Sequence, residues 1–193
     1  MSKRDELLSV ALKLFAEEGY ESVGVQKIAD SADVKKPTLY HYFGSKEGVL
    51  DAILAEKFTL FIEELEELTK YKGDIVFSIE NIVYHYMKFA KSDPLFYRMV
   101  LNLNFSPEQS LSYSYIIKYM ILQHNFIEKM FNEAEKQHGN MIGRSRMYTF
   151  TFIGMINSAI SFYFYTKDEN DISIESARKV SKQFMYGIFS WGG

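Results

Sequence analysis

Cysteine is absent from the 193 residues. Without a thiol the chain has no disulfide framework, no thiolate metal site, no cysteine nucleophile and no cysteine redox sensor. Proline is scarce as well, at three, so little interrupts long helices. A long apolar run is also missing. The N-terminus opens Met1-Ser2-Lys3-Arg4-Asp5-Glu6, charged where a signal peptide would be apolar. The most apolar stretch, Phe150 to Tyr165, carries Thr, Asn and Ser and follows Arg144 and Arg146. It falls short of the roughly 20 apolar residues that span a membrane. A cytoplasmic protein without a membrane partner is expected, with that stretch as a buried helix. Neither a phosphate-binding Walker loop nor a dinucleotide glycine pattern occurs, and His41, His85, His124 and His138 are scattered. No enzyme, cofactor or metal site is expected from this.

What the chain does have is apolar bulk: 47% hydrophobic residues, with 16 Phe, 14 Tyr and 9 Met. That is enough for a small domain plus a medium one. The net charge of −3 argues against nucleic acid as a sum, since phosphate rewards basic surface. The local pattern differs. Between Val34 and Lys46 there is no acid, while Lys35, Lys36 and Lys46 are basic. One short segment is prepared for an anion.

Periodicity reads as helix throughout. Leu8, Ala11, Leu12 and Phe15 form a first stripe that Gly19 ends. Val25, Ile28, Ala29 and Ala32 form a second, broken by Asp33-Val34. Lys36-Pro37 opens a third, where proline is tolerated in the first turn. Leu39 and Phe43, four apart, share its inward face, and two short helices on a tight turn make a helix-turn-helix. Ser45 caps a long bridging helix running to about Gly73, with Glu63, Glu64, Glu66 and Glu67 as a solvated face. Stripes then cover Ile75–Ala90, Pro94–Leu103, a helix from the capping box Ser106–Gln109 to Lys136, Met141–Tyr165, and Ser173–Trp191. The chain is therefore read as all-α with about nine helices. An N-terminal three-helix helix-turn-helix domain takes 1–45, and a C-terminal helical domain takes 46–193.

The N-terminal quarter carries Leu8, Ala11, Leu14-Phe15-Ala16-Glu17, Gly19-Tyr20, Val25, Ile28-Ala29, Ala32 and Val34. Lys36-Pro37-Thr38-Leu39-Tyr40-His41-Tyr42-Phe43 and Ser45-Lys46-Glu47 follow. Over residues 4–54 this closely resembles the tetracycline-repressor (TetR) family of transcriptional regulators. The resemblance implies a recognition helix from Lys36 to Phe43 in the major groove of double-stranded operator DNA. With Leu39 and Phe43 turned inward, Pro37, Thr38 and His41 point away and Tyr40 and Tyr42 flank them. Tyr40 and Tyr42 suit phosphate oxygens, Lys36 a guanine edge or a phosphate, and the Thr38 methyl a thymine methyl. Lys35 and Lys46 suit phosphates. Gln26 matches a family position that reaches base edges, and its amide suits adenine. Gly24 and Lys35 stand where the family often has capping Ser or Thr, and Asp33 replaces a common turn glycine.

The resemblance further implies a homodimer and a hydrophobic small-molecule inducer. Many aromatics and methionines beyond residue 75 suit an adaptable pocket, with Tyr86, Asn102, Tyr119 and Asn157 as polar candidates. Core packing or solvent exposure remains the competing reading of each. Gly154, Ser158 and Ser161 permit close helix approach, and Val180, Phe184, Ile188 and Trp191 form an apolar stripe. Together they suggest a dimer seam, against the alternative that the stripe packs on its own domain. The functional expectation is a ligand-released repressor. The alternative is a constitutive DNA-binding or protein-interaction platform on the same fold.

Overall fold

The computed structural model describes residues 2–187, without the Glu169 side chain. The expected seam residues Ile188 and Trp191, and the expected end of the last helix, lie outside the described residues. Within them the chain forms nine α-helices and no strand: α1 (Lys3–Glu18), α2 (Val25–Ser31), α3 (Lys36–Phe43), α4 (Lys46–Leu68), α5 (Ile75–Ser92), α6 (Pro94–Asn104), α7 (Leu111–Glu135), α8 (Ser145–Thr166) and α9 (Ile174–Tyr186). No helix among the described residues is long and apolar enough to cross a membrane.

Local chemistry sets most of the boundaries. The Ser2 hydroxyl accepts from the Asp5 amide while the Asp5 carboxylate accepts from the Ser2 amide, a reciprocal box that starts α1. Gly19 closes α1 at φ 84°, in the region open to glycine. Asp74 and Ser173 cap the starts of α5 and α9 with one side-chain bond each, accepting from the Phe77 and Ser176 amides. Two starts differ from the sequence reading. The helix expected from Ser106 begins at Leu111: residues 107–110 fold into a turn closed by Ser110 N–H to Pro107 C=O at 2.8 Å. The Ser110 hydroxyl, not that of Ser106, then takes the first-turn amide of Tyr113. Likewise α8 starts at Ser145, because Gly139–Met141 is spent on a short 3-10 turn.

The helices group into two compact units. Among the described residues the first comprises 2–60 and 95–120 and the second 61–94 and 121–187, so α4 and α7 each contribute to both. In the first unit α1 packs on α2 and α2 on α3, and the buried side chains are Leu7, Ala11 and Phe15 of α1, Ile28 and Ala29 of α2, Leu39 of α3, and Val49, Leu50 and Leu54 of α4. Phe58 of α4 lies 4.5 Å from Tyr119 of α7 in a stacked pair and 5.1 Å from Phe96 of α6, edge to face. In the second unit α5 packs on α8 and α9. Its Tyr86 is fully buried and donates to the Gln123 Oε1 of α7 at 2.8 Å, satisfying a hydroxyl that burial would otherwise penalise.

His85 is buried beside Tyr86, its ring stacked on Phe61 at 4.7 Å. Nε2 lies 3.0 Å from the Phe61 carbonyl oxygen and Nδ1 3.2 Å from Glu64 Oε2. Burial holds its pKa below the ordinary 6.5, opposed by the Phe61 carbonyl and the Glu64 carboxylate, with Lys88 adding to the lowering. An unfolded His85 thus takes up a proton at a pH where the folded one resists. Stability is full above about pH 6.5 and declines as the pH falls toward the folded value. The melting temperature is expected to drop between about pH 7.5 and 5.5, and His85→Gln to flatten that slope. Parallel pH profiles for the two proteins in calorimetry would show that His85 carries no proton linkage.

Candidate nucleic-acid interface

The turn between α2 and α3 places Asp33 at φ 50°, a left-handed position that aspartate tolerates. Val34 N–H closes it onto Ala29 C=O at 3.0 Å. Pro37 sits in the first turn of α3, and Gly44 at φ 72° ends it. As their residue types suggest, neither Gly24 nor Lys35 makes a side-chain capping bond. Leu39 is completely buried and Phe43 is half-buried, with the Arg4 guanidinium 5.5 Å over its ring. That anchoring fixes which side of α3 faces out.

The outward side carries Lys36, Pro37, Tyr40, His41 and Tyr42, all exposed, with Lys35 exposed just before them. Thr38 is half-buried at the edge of this face. The His41 and Tyr42 rings meet edge to face at 5.4 Å, which orients the tyrosine hydroxyl side of the helix. Gln26 is exposed on α2, but its amide donates to Asp30 Oδ1 at 2.5 Å, so reaching a base means exchanging that partner. Lys46 is engaged in a different way. Its ammonium donates to the Tyr20 carbonyl at 3.0 Å and lies 4.0 Å above the Tyr20 ring. The Tyr20 hydroxyl donates to Glu47 at 3.4 Å. Burial, then the charges of Glu47 and Glu21, pushes the tyrosine pKa well up, while the Ser45 hydroxyl holds Glu47 below the usual carboxylate range.

Lys46, Tyr20 and Glu47 therefore fasten the loop after α1 to the start of α4. Sequence reading placed Lys46 on a phosphate and missed this fastening. The adjacent Gly19-Tyr20 and Lys46-Glu47 pairs were its available signal. Two bonds to α7 were not legible at all. The fully buried Ser112 donates to Glu21 at 2.9 Å, and Lys118 pairs with Asp51 at 2.9 Å.

The remaining candidates separate. Tyr86 and Asn157 lie in the second unit, the first fully buried against Gln123 and the second half-buried on α8. Asn102 and Tyr119 lie in the first, where Asn102 is exposed and Tyr119 stacks on Phe58. Gly154, Ser158 and Ser161 are exposed in one row on α8. Val180 is half-buried, and Phe184 joins a cluster with Phe152, Phe131 and Tyr148 at 4.8–6.1 Å. Among the described residues no group of three or more acids and histidines could hold a metal ion.

The family model for bacterial regulatory proteins of the tetR family matches residues 7–53. The HTH-type transcriptional activator FasR of Mycolicibacterium smegmatis is 23% identical over 99% of this chain and 82% of its own length. The fatty acid metabolism regulator protein of Bacillus subtilis is 40% identical over 68 residues, 35% of either chain, so that match spans about a third of the relative. A solved structure of the transcriptional regulator FadR from Bacillus subtilis, in complex with stearoyl-CoA, has the same fold. Its TM-score is 0.77 at 23% identity, covering 95% of this chain and 98% of that one.

The face of α3 generates a separable set of expected outcomes. Tyr42→Ala and Lys46→Ala should weaken binding to specific and random duplexes alike, whereas Thr38 and Gln26 substitutions should change base preference. Lys46→Ala should also lower stability by about 1–2 kcal/mol, through the lost carbonyl bond and ring contact, and Tyr42→Ala should not. Mobility shifts paired with thermal melts check both, and unchanged affinity in the two single variants would remove the assignment.

Proposed function

We propose that this chain, whose residues 7–53 match the model for bacterial regulatory proteins of the tetR family, is a homodimeric transcriptional repressor that α3 seats on a pseudo-palindromic operator. A bulky, largely apolar small molecule releases it. The observation that carries this reading is the face of α3. A completely buried Leu39 anchors the helix while Lys36, Tyr40, His41 and Tyr42 stand exposed around it. Those residues offer one cation, two phenolic hydroxyls and an imidazole to phosphates and base edges, on a helix short enough to enter a major groove. Residues 1–45 are the DNA-reading part by role, and 46–193 sense the ligand and form the dimer.

The dimer is read from α8. Gly154, Ser158 and Ser161 lie exposed between the exposed apolar side chains of Met147, Phe150, Phe162 and Tyr165. A Cβ on Gly154 would meet nothing within 4 Å, so its own chain has no need of a small residue there. A second copy approaching closely along that row supplies the reason. Phe184 faces inward, which leaves α8 as the principal surface within the described residues. For the effector, the fatty acid metabolism regulator protein and the stearoyl-CoA complex of FadR support a compound with an acyl chain, among the helices from Ile75 to Tyr165.

Coupling needs elements shared by both units, and two exist. α4 carries Lys46 at one end and Phe61 and Leu65 at the other, while α7 carries Ser112, bonded to Glu21, at one end and Gln123, bonded to Tyr86, further on. An effector that prefers one arrangement of these helices shifts the population of DNA-competent dimers. Couplings of about 1–3 kcal/mol change operator affinity roughly 5- to 150-fold, and linkage requires operator to change effector affinity by the same factor.

Light scattering is expected to give a dimer, and Gly154→Arg with Ser158→Arg to give a folded monomer with weakened operator binding. A monomeric unmutated protein would sink the seam. Stearoyl-CoA and its shorter homologues are then titrated with and without saturating operator. Weaker binding with operator supports release. Tighter binding with operator supports an activating effector instead, the sense in which FasR is named, and equal binding rejects induction by that compound. Absence of any acyl-CoA binding favours the constitutive platform.

A further inference from the structure

The second unit carries a cleft of about 220 Å³ where the first turn of α5, the end of α7, the 3-10 turn, the start of α8 and the end of α9 converge. One side is apolar, built from Ile75, Val76 and Ile79 of α5, Phe131 of α7, and Phe184 and Met185 of α9. The other side is polar: His138, Asn140 and the Tyr148 phenol line it, and no acidic side chain does. The exposed Arg144 is bonded to two of these lining residues, its guanidinium donating to the Tyr148 hydroxyl at 3.4 Å and to the Asn140 carbonyl at 3.5 Å. Tyr71 donates to or accepts from His138 Nε2 at 3.3 Å, which fixes the imidazole at the rim. Glu135, on the same stretch of chain, accepts from the Gly143 amide and the Ser145 hydroxyl at 3.1 and 3.0 Å.

We propose that this cleft binds a short single-chain amphiphile with a carboxylate head. The tail lies on Ile79, Phe131 and Phe184, and the head meets Arg144, His138 and the Tyr148 hydroxyl. An apolar cavity of about 150 Å³ accommodates benzene, so about 220 Å³ suits roughly eight or nine carbons. A stearoyl chain is about twice that length, so the cleft does not take the whole of the acyl chain proposed above, and the proposal is for the shorter ligand. An arginine next to hydrogen-bond donors, at a lining that carries no acid and with the nearby Glu135 carboxylate taken up by Gly143 and Ser145, favours a carboxylate head over an ammonium or a plain hydroxyl. Binding here does not depend on operator release. Because the ligand bridges the start of α5 to the end of α9, occupancy holds those two helix ends together.

The probe is sodium octanoate, titrated into the full chain by calorimetry, with octan-1-ol and octylamine as head-group controls. Octanoate is expected to bind at least tenfold tighter than either. Arg144→Gln is expected to abolish the preference over octanol while octanol binding stays the same. Val76→Trp, at a position 41% exposed and so able to take a larger side chain, is expected to fill the cleft and weaken octanoate at least tenfold. Thermal melts confirm that both variants fold. Equal binding of the three compounds, or octanoate binding unchanged in Val76→Trp, overturns the proposal, as does failure of octanoate to bind the unmutated protein. None of these results bears on DNA affinity.

Discussion

A helix of eight residues is not stable in water alone, because nucleation costs more than so few hydrogen bonds return. Burial of Leu39, with α3 packed on α2, is what makes α3 a rigid helix, and everything proposed for the interface depends on it. A fully buried leucine typically contributes 2–5 kcal/mol relative to alanine, a large share of a small domain's stability. Its position also decides rotation. With Leu39 at the core, Lys36, Pro37, Tyr40 and His41 have nowhere to go but outward, and a shift of one residue would bury a charge.

The fastening around Tyr20 serves the same end from the other side. The aromatic ring is buried beside Phe15 at 4.9 Å, and its carbonyl and face both receive the Lys46 ammonium. The loop after α1 is thereby tied to the first turn of α4, so α3 is held between two fixed neighbours. Lys46 cannot be a freely extended phosphate ligand in this arrangement. It contributes positive charge near the reading face while acting as a strut, and the two roles have different energetic signatures.

Membership of α6 and half of α7 in the first unit changes the mechanistic picture. Phe58, Phe96 and Tyr119 make one aromatic stack, and Ser112 reaches Glu21 across 91 positions of sequence. α4 is thus one of two helices that belong to both units. A signal arriving along α7 would act on the α1–α2 loop through one half-buried hydrogen bond, and one along α4 through the Lys46 contacts. Both routes end at Tyr20 or its neighbour Glu21, in the loop between α1 and α2.

Local sequence was sufficient for the all-α class and the three N-terminal helices, with the glycine stops of α1 and α3. It was also sufficient for the uncapped starts at Gly24 and Lys35, the left-handed Asp33 and the exposure of Pro37, Tyr40, His41 and Tyr42 on α3, but not for Thr38, which is half-buried. These follow from period, turn chemistry and a single buried anchor, all encoded within a few residues of one another. It misplaced the start of α7, because a capping-box pattern at Ser106 and a real cap at Ser110 look alike until the turn between them closes. Tertiary structure alone decided that Tyr86 is sealed against Gln123, that Lys46 is a strut, that Phe184 turns inward, and that a cleft opens beside His138 and Tyr148. Those outcomes depend on partners tens of residues away. Helical period identifies a buried stripe, but only three-dimensional packing determines which neighbour covers it.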